Sequence, residues 1–429
     1  MSSEWRKYKL GDLGQVITGK TPKTSNTAHF GGDIPFVTPS DMDDRKIINS
    51  TLRYLSNTGA SSVKNSIIPS GSVMVSCIGS DMGKCAVAGR KCVTNQQLNS
   101  VVVDKKRFCN DFVYYNLSNR KSELQHLAAG GSTLPILNKT KFSEIVIELP
   151  SLEKQQQISS ILSTLDDRIA LLRETNATLE SIAQAIFKSW FIDFDPVKAK
   201  QQGVEPQGID AVTAALFPDA FQDSKLGPIP AGWEVCALDE IAEYLNGLAL
   251  QKYPPNGQDD LPVIKIAQLR KGDTVGANMA SRKMKTEYIV QDGDVLFSWS
   301  GSLDVVIWCG GEGALNQHLF KASSTDYPKW LYYLWTKQHL ADFQMIAASK
   351  ATTMGHIQRH HLRDAKVVVP PMKHLRRFDD FFNPLLNNWI TNSLRAKSLA
   401  SIRDALLPRL ISGRLRLPEA EAMAGEAGL

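Results

Sequence analysis

The sequence contains no apolar run that approaches the ~20 residues a helix needs to cross a lipid bilayer. Its first residues, Met-Ser-Ser-Glu-Trp-Arg-Lys, do not form a signal peptide. The six cysteines show neither a CxxC pair nor the dense spacing of a disulfide scaffold. We therefore expect a protein of the reducing cytoplasm, without structural disulfides and without a membrane partner.

Motifs for catalysis are also scarce. The sequence has no GxSxG elbow, and His356 and His360 lack the glutamate of an HExxH zinc helix. Residues 14–21 do match the phosphate-binding P-loop pattern, with Asp104 as a candidate acidic partner. A P-loop needs a helix after it, and residues 22–27 do not predict one. A P-loop nucleotide hydrolase with duplicated lobes remains the alternative function.

Charge and length indicate an ordinary globular protein of more than one domain. The 429 residues exceed what one core normally holds, and the composition is 43% hydrophobic and 22% charged. The net charge of +5 is unevenly distributed. Residues 1–150 carry 19 Lys and Arg against 12 Asp and Glu, whereas residues 226–370 carry 14 against 15. The first segment can therefore attract a polyanion through its overall field, and the second needs local basic clusters.

A long amphipathic helix follows the first segment. From residue 158 to residue 190, apolar side chains recur at alternating steps of four and three, and no Gly or Pro interrupts them. This spacing predicts a long spacer helix that packs along its length on another helix. The predicted interface residues on this helix are Ile158, Leu162, Leu165, Ile169, Leu172 and Leu179.

A second, less regular helix repeats this pattern about 220 residues later. Its predicted interface residues are Phe382, Trp389, Leu399 and Leu406. Pro384 is expected to kink or restart this helix, and Pro408 to disturb its last turn. The tail from Pro418 is expected to fray.

The segments before the two helices resemble each other as well. Asn95-Gln-Gln-Leu matches Asn316-Gln-His-Leu, and Gly19 and Gly247 stand at equivalent places. Short apolar runs between turn residues predict strands in both segments. We predict an α+β fold of two repeated domains, each an irregular sheet plus helices, separated by two long antiparallel coiled-coil helices with pseudo-two-fold symmetry. The predicted segments are domain 1 (1–150), spacer helix 1 (151–192), a linker (193–225), domain 2 (226–370), spacer helix 2 (371–413) and a tail (414–429).

Both domains carry side chains suited to DNA. Asparagine and glutamine amides can pair with an adenine edge, and Lys and Arg in turn-rich segments can position a phosphate backbone. Each of these residues has an ordinary alternative role, as a solvated charge or as part of a buried structural bridge. The predicted DNA-binding residues are Lys20, Thr21, Lys23, Lys84, Arg90, Lys91, Asn95, Gln96, Arg270, Lys271, Arg282, Lys283, Asn316, Gln317, Lys350 and Arg359.

Several stretches together resemble the specificity subunit of type I restriction–modification systems. They are Gly-Lys-Thr-Pro from Gly19, Gly-Gly-Asp-Ile-Pro from Gly31, Asp41, and Leu-Pro-Ser-Leu-Glu-Lys-Gln-Gln-Gln-Ile leading into Leu165-Asp-Asp-Arg-Ile. The resemblance covers nearly the whole chain. It implies two target-recognition domains that read a bipartite site in double-stranded DNA, each followed by a spacer helix.

The resemblance also implies partners. A subunit of this kind is non-catalytic and assembles with two methyltransferase subunits, and with motor–endonuclease subunits for cleavage. S-adenosylmethionine, ATP and Mg²⁺ are then expected on those partners, and no cofactor is expected on this chain.

Overall fold

The computed structural model describes residues 5–43, 45–79, 81–128, 136–349 and 355–426. Its internal contacts divide the chain into two units, one of Met1–Leu171 with Ala396–Leu429 and one of Leu172–Arg395. Each unit therefore contains one sheet domain and a part of each long helix. Among the described residues, none of the helices combines the length and apolar character that crossing a membrane requires.

The first domain is built from short strands and short helices. Its strands are β1 (Arg6–Lys9), β2 (Gly14–Thr18), β3 (Phe30–Val37), β4 (Ile47–Ile48), β5 (Tyr54–Leu55), β6 (Ile67–Ile68), β7 (Val73–Ser76), β8 (Cys85–Ala88), β9 (Cys92–Thr94), β10 (Leu98–Val103) and β11 (Val146–Leu149). Its helices are α1 (Asn57–Ser62), α2 (Asn110–Ser118), α3 (Lys121–Ala128) and α4 (Lys139–Ser143). The strands form sheets in the orders β1-β11, β2-β10-β7-β8-β4 and β5-β3-β9-β6.

Each sheet domain is followed by a long helix, and a connecting segment leads from the first long helix to the second domain. The first long helix, α5, spans Leu152–Phe191, and α6 (Asp195–Gln201) and α7 (Ala211–Ala214) come after it. The second long helix, α13, spans Met372–Ile411, and α14 spans Leu417–Glu426. With 40 residues each, α5 and α13 are about 60 Å long.

The second domain repeats the sheets of the first. Its elements are β12 (Phe221–Gln222), β13 (Ile229–Pro230), β14 (Glu234–Ala237), α8 (Leu238–Ile241), β15 (Glu243–Asn246), β16 (Leu261–Ile264), α9 (Ile266–Lys271), β17 (Met279–Ala280), β18 (Ile289–Val290), β19 (Val295–Ser298), β20 (Asp304–Ile307), β21 (Gly313–Leu315), β22 (Leu319–Ser323), α10 (Lys329–Gln338), α11 (Leu340–Ser349), α12 (Arg359–Asp364) and β23 (Lys366–Val369). The sheet orders are β12-β13, β14-β23, β15-β22-β19-β20 and β17-β16-β21-β18.

The correspondence extends to strand direction. In the first domain β3 pairs with β9 in parallel while β6 pairs with β9 antiparallel, and β16, β18 and β21 have the same arrangement in the second. The predicted α+β fold with repeated domains and long helices is confirmed. Buried apolar side chains form separate clusters within each domain, so each domain has cores of its own.

In the first unit, the predicted interface residues of the two long helices are buried. Ile158, Leu162, Leu165 and Ile169 of α5 are at most 3% exposed, and Leu399 and Leu406 of α13 are buried too. A partly buried ion pair joins the two helices in this unit, from Asp166 Oδ1 to Arg403 Nη1 at 2.7 Å.

In the second unit the helix pair meets the core of the second domain. Leu172 and Phe382 are buried, whereas Leu179 and Trp389 are half-buried beside a small apolar cavity. Asn176 donates from Nδ2 to the Trp389 carbonyl at 2.9 Å and to Ser393 Oγ at 2.8 Å. Further along α5, Trp190 lies against Phe382. Because a later residue of α5 contacts an earlier residue of α13 than Asn176 does, the two helices are antiparallel in this unit.

Three expectations for the irregular segments need correction. The helix does not restart at Pro384, and α13 continues through Pro408. Pro384 is exposed, and the buried Phe378, Phe382 and Leu386 on either side of it anchor the helix, so the loss of one backbone donor does not break it. The tail is not frayed from Pro418, because α14 continues to Glu426.

The segment predicted as a linker also has regular structure. Between residues 193 and 225 it forms α6 and α7, and it contributes Val197 and Phe217 to the core of the second unit. Phe217 packs on Trp190, Trp233 and Phe378, which ties the segment to the helices and the domain that it connects.

Candidate nucleic-acid interface

The turn after β9 is folded by the side chain of Asn95. Its Oδ1 accepts a hydrogen bond from the Gln97 backbone N–H at 3.1 Å, and its Nδ2 donates to Gln97 Oε1 at 2.8 Å. The Leu98 N–H closes the turn on the Asn95 carbonyl at 3.1 Å. We call residues 95–98 the Asn95 turn. Asn95 itself is 7% exposed, whereas Gln96 at the tip of the turn is exposed.

The chain leaving β2 lies against the Asn95 turn. Gly19 N–H donates to the Leu98 carbonyl at 3.0 Å and Lys20 N–H to the Thr94 carbonyl at 2.9 Å. A Cβ on Gly19 would stand 2.0 Å from the Asn95 carbonyl oxygen, so the approach requires glycine. Beyond it, Thr21 Oγ1 donates to Gln96 Oε1 at 2.6 Å. The structure therefore brings the predicted residues Lys20, Thr21 and Gln96 together on the surface.

The second domain builds the same turn from residues 316–319, here called the Asn316 turn. Asn316 Oδ1 accepts from the His318 N–H at 3.3 Å, and the Leu319 N–H donates to the Asn316 carbonyl at 2.9 Å. Gly247 N–H donates to the Leu319 carbonyl at 3.0 Å, and a Cβ on Gly247 would stand 2.2 Å from the Asn316 carbonyl oxygen. Equivalent hydrogen bonds thus hold a glycine against an asparagine turn in both domains.

These contacts correct the role predicted for the two asparagines. Both Asn95 and Asn316 are at most 7% exposed, and both amide atoms of Asn95 and Oδ1 of Asn316 hold the turns, which favours a structural role over a base contact. The neighbouring Gln96 is exposed and Gln317 is half-buried, so these side chains are the ones presented at the surface.

The predicted basic residues of the first domain differ in their availability. Lys20, Lys23 and Lys91 are exposed. Arg90 is exposed as well, although one guanidinium nitrogen donates to the Asp33 carbonyl at 3.0 Å. Lys84 is paired with Asp81 at 2.9 Å, so part of its charge is already compensated.

In the second domain, two predicted arginines are held by the protein itself. Arg282 forms a bidentate pair with Glu312, with its Nη1 at 2.9 Å from Oε1, and it also pairs with Asp259 at 2.7 Å. These hydrogen bonds hold the pKa of Glu312 down at about 2. Arg359 donates to the Tyr244 carbonyl at 3.2 Å.

The surroundings of Arg359 also disfavour a phosphate contact. It lines an open cleft of about 500 Å³ together with Asp239, Glu240, Glu243 and Asp326. Of the remaining predicted residues, Arg270 and Lys283 are exposed and Lys271 pairs with Asp273 at 3.1 Å. Lys350 lies outside the described residues.

One group of residues was missed by the sequence reasoning. Trp299 directly follows β19, and its ring lies 5.9 Å from that of His318 and 6.3 Å from that of His356. Ser300 Oγ lies 3.1 Å from His318 Nδ1. We call these four residues the ring cluster. The repeat held a signal for it, because His318 stands where the first domain has Gln97.

The P-loop alternative is contradicted by the backbone. Residues Gly14–Thr18 are themselves a strand, β2, which pairs antiparallel with β10. Between β2 and β3, where every residue is described, no α-helix follows, so the helix that a P-loop needs directly after its loop is missing. Gly19 serves the close approach to the Asn95 turn. The described residues also contain no group of three His, Cys, Asp or Glu side chains suited to a metal ion.

Comparison with known proteins gives the family. The sequence model of the type I restriction modification DNA specificity domain matches residues 2–181 and 230–396, which contain the two Asn turns. The chain belongs to this family. The two matches each cover a sheet domain and helical residues that follow it, as the internal repeat requires.

Relatives within the family match nearly end to end. The chain is 28% identical to the type I restriction enzyme MjaIX specificity subunit of Methanocaldococcus jannaschii, over 97% of this chain and 94% of that protein. It is 24% identical to the HindI specificity subunit of Haemophilus influenzae, over 96% and 100%. The crystal structure of a type I restriction–modification S subunit from M. genitalium has the same fold, with a TM-score of 0.54 at 14% identity, over 95% and 96% of the two chains.

Proposed function

We propose that this chain is the DNA-reading subunit of a type I restriction–modification complex, and that each sheet domain recognises one half of a bipartite target. The observation that carries the proposal is the pair of Asn turns. Each is held against a glycine by equivalent hydrogen bonds and presents polar side chains at its tip. Two copies of one reading surface in one chain suit a duplex that is read in two places.

Exposed side chains of the first domain suit this role. Lys20, Lys23 and Lys91 are exposed, and Lys20 adjoins Gln96 across the Asn95 turn. Exposed lysines position a phosphate backbone, and an exposed glutamine amide has the donor and acceptor pattern that matches adenine. In the second domain, Arg282 and Lys271 are paired with carboxylates of the chain itself, whereas Arg270 and Lys283 are exposed.

We propose further that the chain itself is non-catalytic and works with two methyltransferase subunits and with motor–endonuclease subunits. S-adenosylmethionine, ATP and Mg²⁺ are then bound by those partners. The relatives support this assignment, because they are named as specificity subunits of type I restriction enzymes.

Exchange of residues 1–150 for those of a related chain tests whether each domain recognises one half-site. Methylome sequencing of cells that carry the hybrid should show one half of the target changed and the other half retained. The matched exchange of residues 226–370 should change the opposite half. A hybrid that changes both halves, or neither, contradicts the assignment of one domain to one half-site.

The non-catalytic role has a separate test. The purified chain, incubated with a duplex containing the mapped target and with S-adenosylmethionine, should transfer no methyl groups until methyltransferase subunits are added. Methyl transfer by the chain alone contradicts the proposal.

A further inference from the structure

The backbone contacts around the ring cluster have equivalents in the first domain. In the second domain, the Trp299 N–H donates to the His318 carbonyl at 3.4 Å, and the Ile357 N–H donates to the Trp299 carbonyl at 3.0 Å. An antiparallel bridge pairs Ser300 with His356. These contacts place the end of β19, the Asn316 turn and the residues around His356 next to one another.

The first domain makes the same contacts with different side chains. The Cys77 N–H donates to the Gln97 carbonyl at 2.8 Å, the Leu137 N–H donates to the Cys77 carbonyl at 2.9 Å, and Ile78 pairs with Ile136. Cys77, Ile78, Gln97 and Ile136 therefore occupy the places of Trp299, Ser300, His318 and His356. Because the first domain keeps this backbone without any of the rings, the rings are not required to form it.

Hydrogen bonds orient the rings of the second domain. Ser300 Oγ lies 3.1 Å from His318 Nδ1, and Gln317 Nε2 lies 3.4 Å from His318 Nε2. The indole N–H of Trp299 donates to Asn246 Oδ1 at 3.0 Å. Trp299, His318 and His356 are all half-buried, as is Gln317, so part of each side chain is accessible to solvent.

We propose that the ring cluster determines the base preference of the second domain, with His318 and Gln317 contacting base edges and Trp299 holding His318 in place. This inference rests on the proposed function. An imidazole can accept or donate a hydrogen bond in the major groove, and a glutamine amide can do both. The first domain has no ring at the positions of the ring cluster, and its Gln97 Oε1 accepts from Asn95, so the two domains should read different bases.

His318→Gln provides a test that preserves the turn. It installs the residue of the first domain, which can accept from Asn316 as Gln97 accepts from Asn95. His339→Gln is the matched control, because His339 lies in the same domain and contacts the Lys366 carbonyl and Trp335 outside the ring cluster. Both chains are assembled with methyltransferase subunits, and methylation rates are measured on duplexes with every single-base change across the target.

His318→Gln should change the preference at one or two adjacent base pairs of one half-site by roughly 5- to 150-fold, the range for one well-placed base contact. The other half-site should keep its profile, and His339→Gln should match the wild type. Trp299→Phe keeps an aromatic ring but loses the larger indole and its N–H to Asn246, and it should alter the same base pairs.

Two results overturn the inference. One is a His318→Gln profile identical to that of the wild type, and the other is a uniform loss of rate at every base pair, which indicates a structural or phosphate-binding role. Both leave the proposed function intact if the wild-type complex still discriminates among duplexes. A wild-type complex without any sequence preference contradicts the proposed function itself.

Discussion

Replacing Asp166 by alanine removes a carboxylate that ties the first domain to both long helices. One oxygen of Asp166 accepts a hydrogen bond from the Tyr115 hydroxyl at 2.6 Å, and the other accepts one from Arg403 at 2.7 Å. Tyr115 belongs to α2 and is 1% exposed, and the side chain of Asp166 is 12% exposed. Truncation leaves both donors without this acceptor.

The expected cost follows from what remains. A buried hydroxyl without a partner costs about 1–3 kcal/mol, but Ser163 Oγ lies 3.4 Å from the Tyr115 hydroxyl and can replace part of the bond. Arg403 is 26% exposed and keeps Asp404 at 2.7 Å, so the lost ion pair contributes only ~1 kcal/mol. We expect the free energy of unfolding to fall by about 2–3 kcal/mol in total.

Thermal unfolding of the full-length chain measures this effect. At roughly 2–4 °C per kcal/mol for a unit of this size, the midpoint should fall by about 4–12 °C. Asp167→Ala is the matched control, because Asp167 is the next residue on α5 and is exposed, and a surface substitution should stay within about 0.5 kcal/mol. A double-mutant cycle with Tyr115→Phe should give a coupling energy of at least ~0.5 kcal/mol.

A midpoint equal to that of Asp167→Ala would refute the reasoning, because it would mean that the hydrogen-bonded network contributes nothing to folding. Full additivity of Asp166→Ala and Tyr115→Phe would show that the loss arises elsewhere than in their hydrogen bond.

Three further predictions concern the interface between the two long helices, the DNA contacts and stability at alkaline pH. Leu165→Asp places a carboxylate at a position that is 0% exposed, so it should cost several kcal/mol and prevent co-purification with methyltransferase subunits; recovery at wild-type stoichiometry contradicts this. Lys20→Ala should reduce the slope of log affinity against log salt for duplex binding by about 0.9, whereas Arg282→Ala, whose charge is already paired, should leave the slope unchanged. Burial and the Asp166 carboxylate raise the pKa of Tyr115, so its stabilising contribution is complete below pH ~10 and is lost as the pH rises above that value. Urea unfolding of Tyr115→Phe should therefore show a smaller loss of stability between pH 9 and 11 than the wild type, and parallel losses exclude this role.

The sequence by itself determined the features that depend on local periodicity and on repetition. Alternating steps of four and three on α5 need only helical geometry to place Ile158 and Leu165 on one side, and both are buried. The internal repeat likewise predicted two similar domains, because equivalent residues such as Gly19 and Gly247 make the same close approach in each.

Only the tertiary structure decided which polar residues remain available at the surface. The sequence shows Arg282 only as a basic residue in a turn, but Glu312, 30 residues away, holds it in a bidentate pair. The amide of Asn95 suits an adenine edge by its chemistry, but in the structure it folds its own turn. Trp299, His318 and His356 are far apart in the chain and meet because strand pairing and turns bring their backbones together. The availability of a charge or an amide depends on partners supplied by distant segments, and local sequence spacing carries no information about those partners.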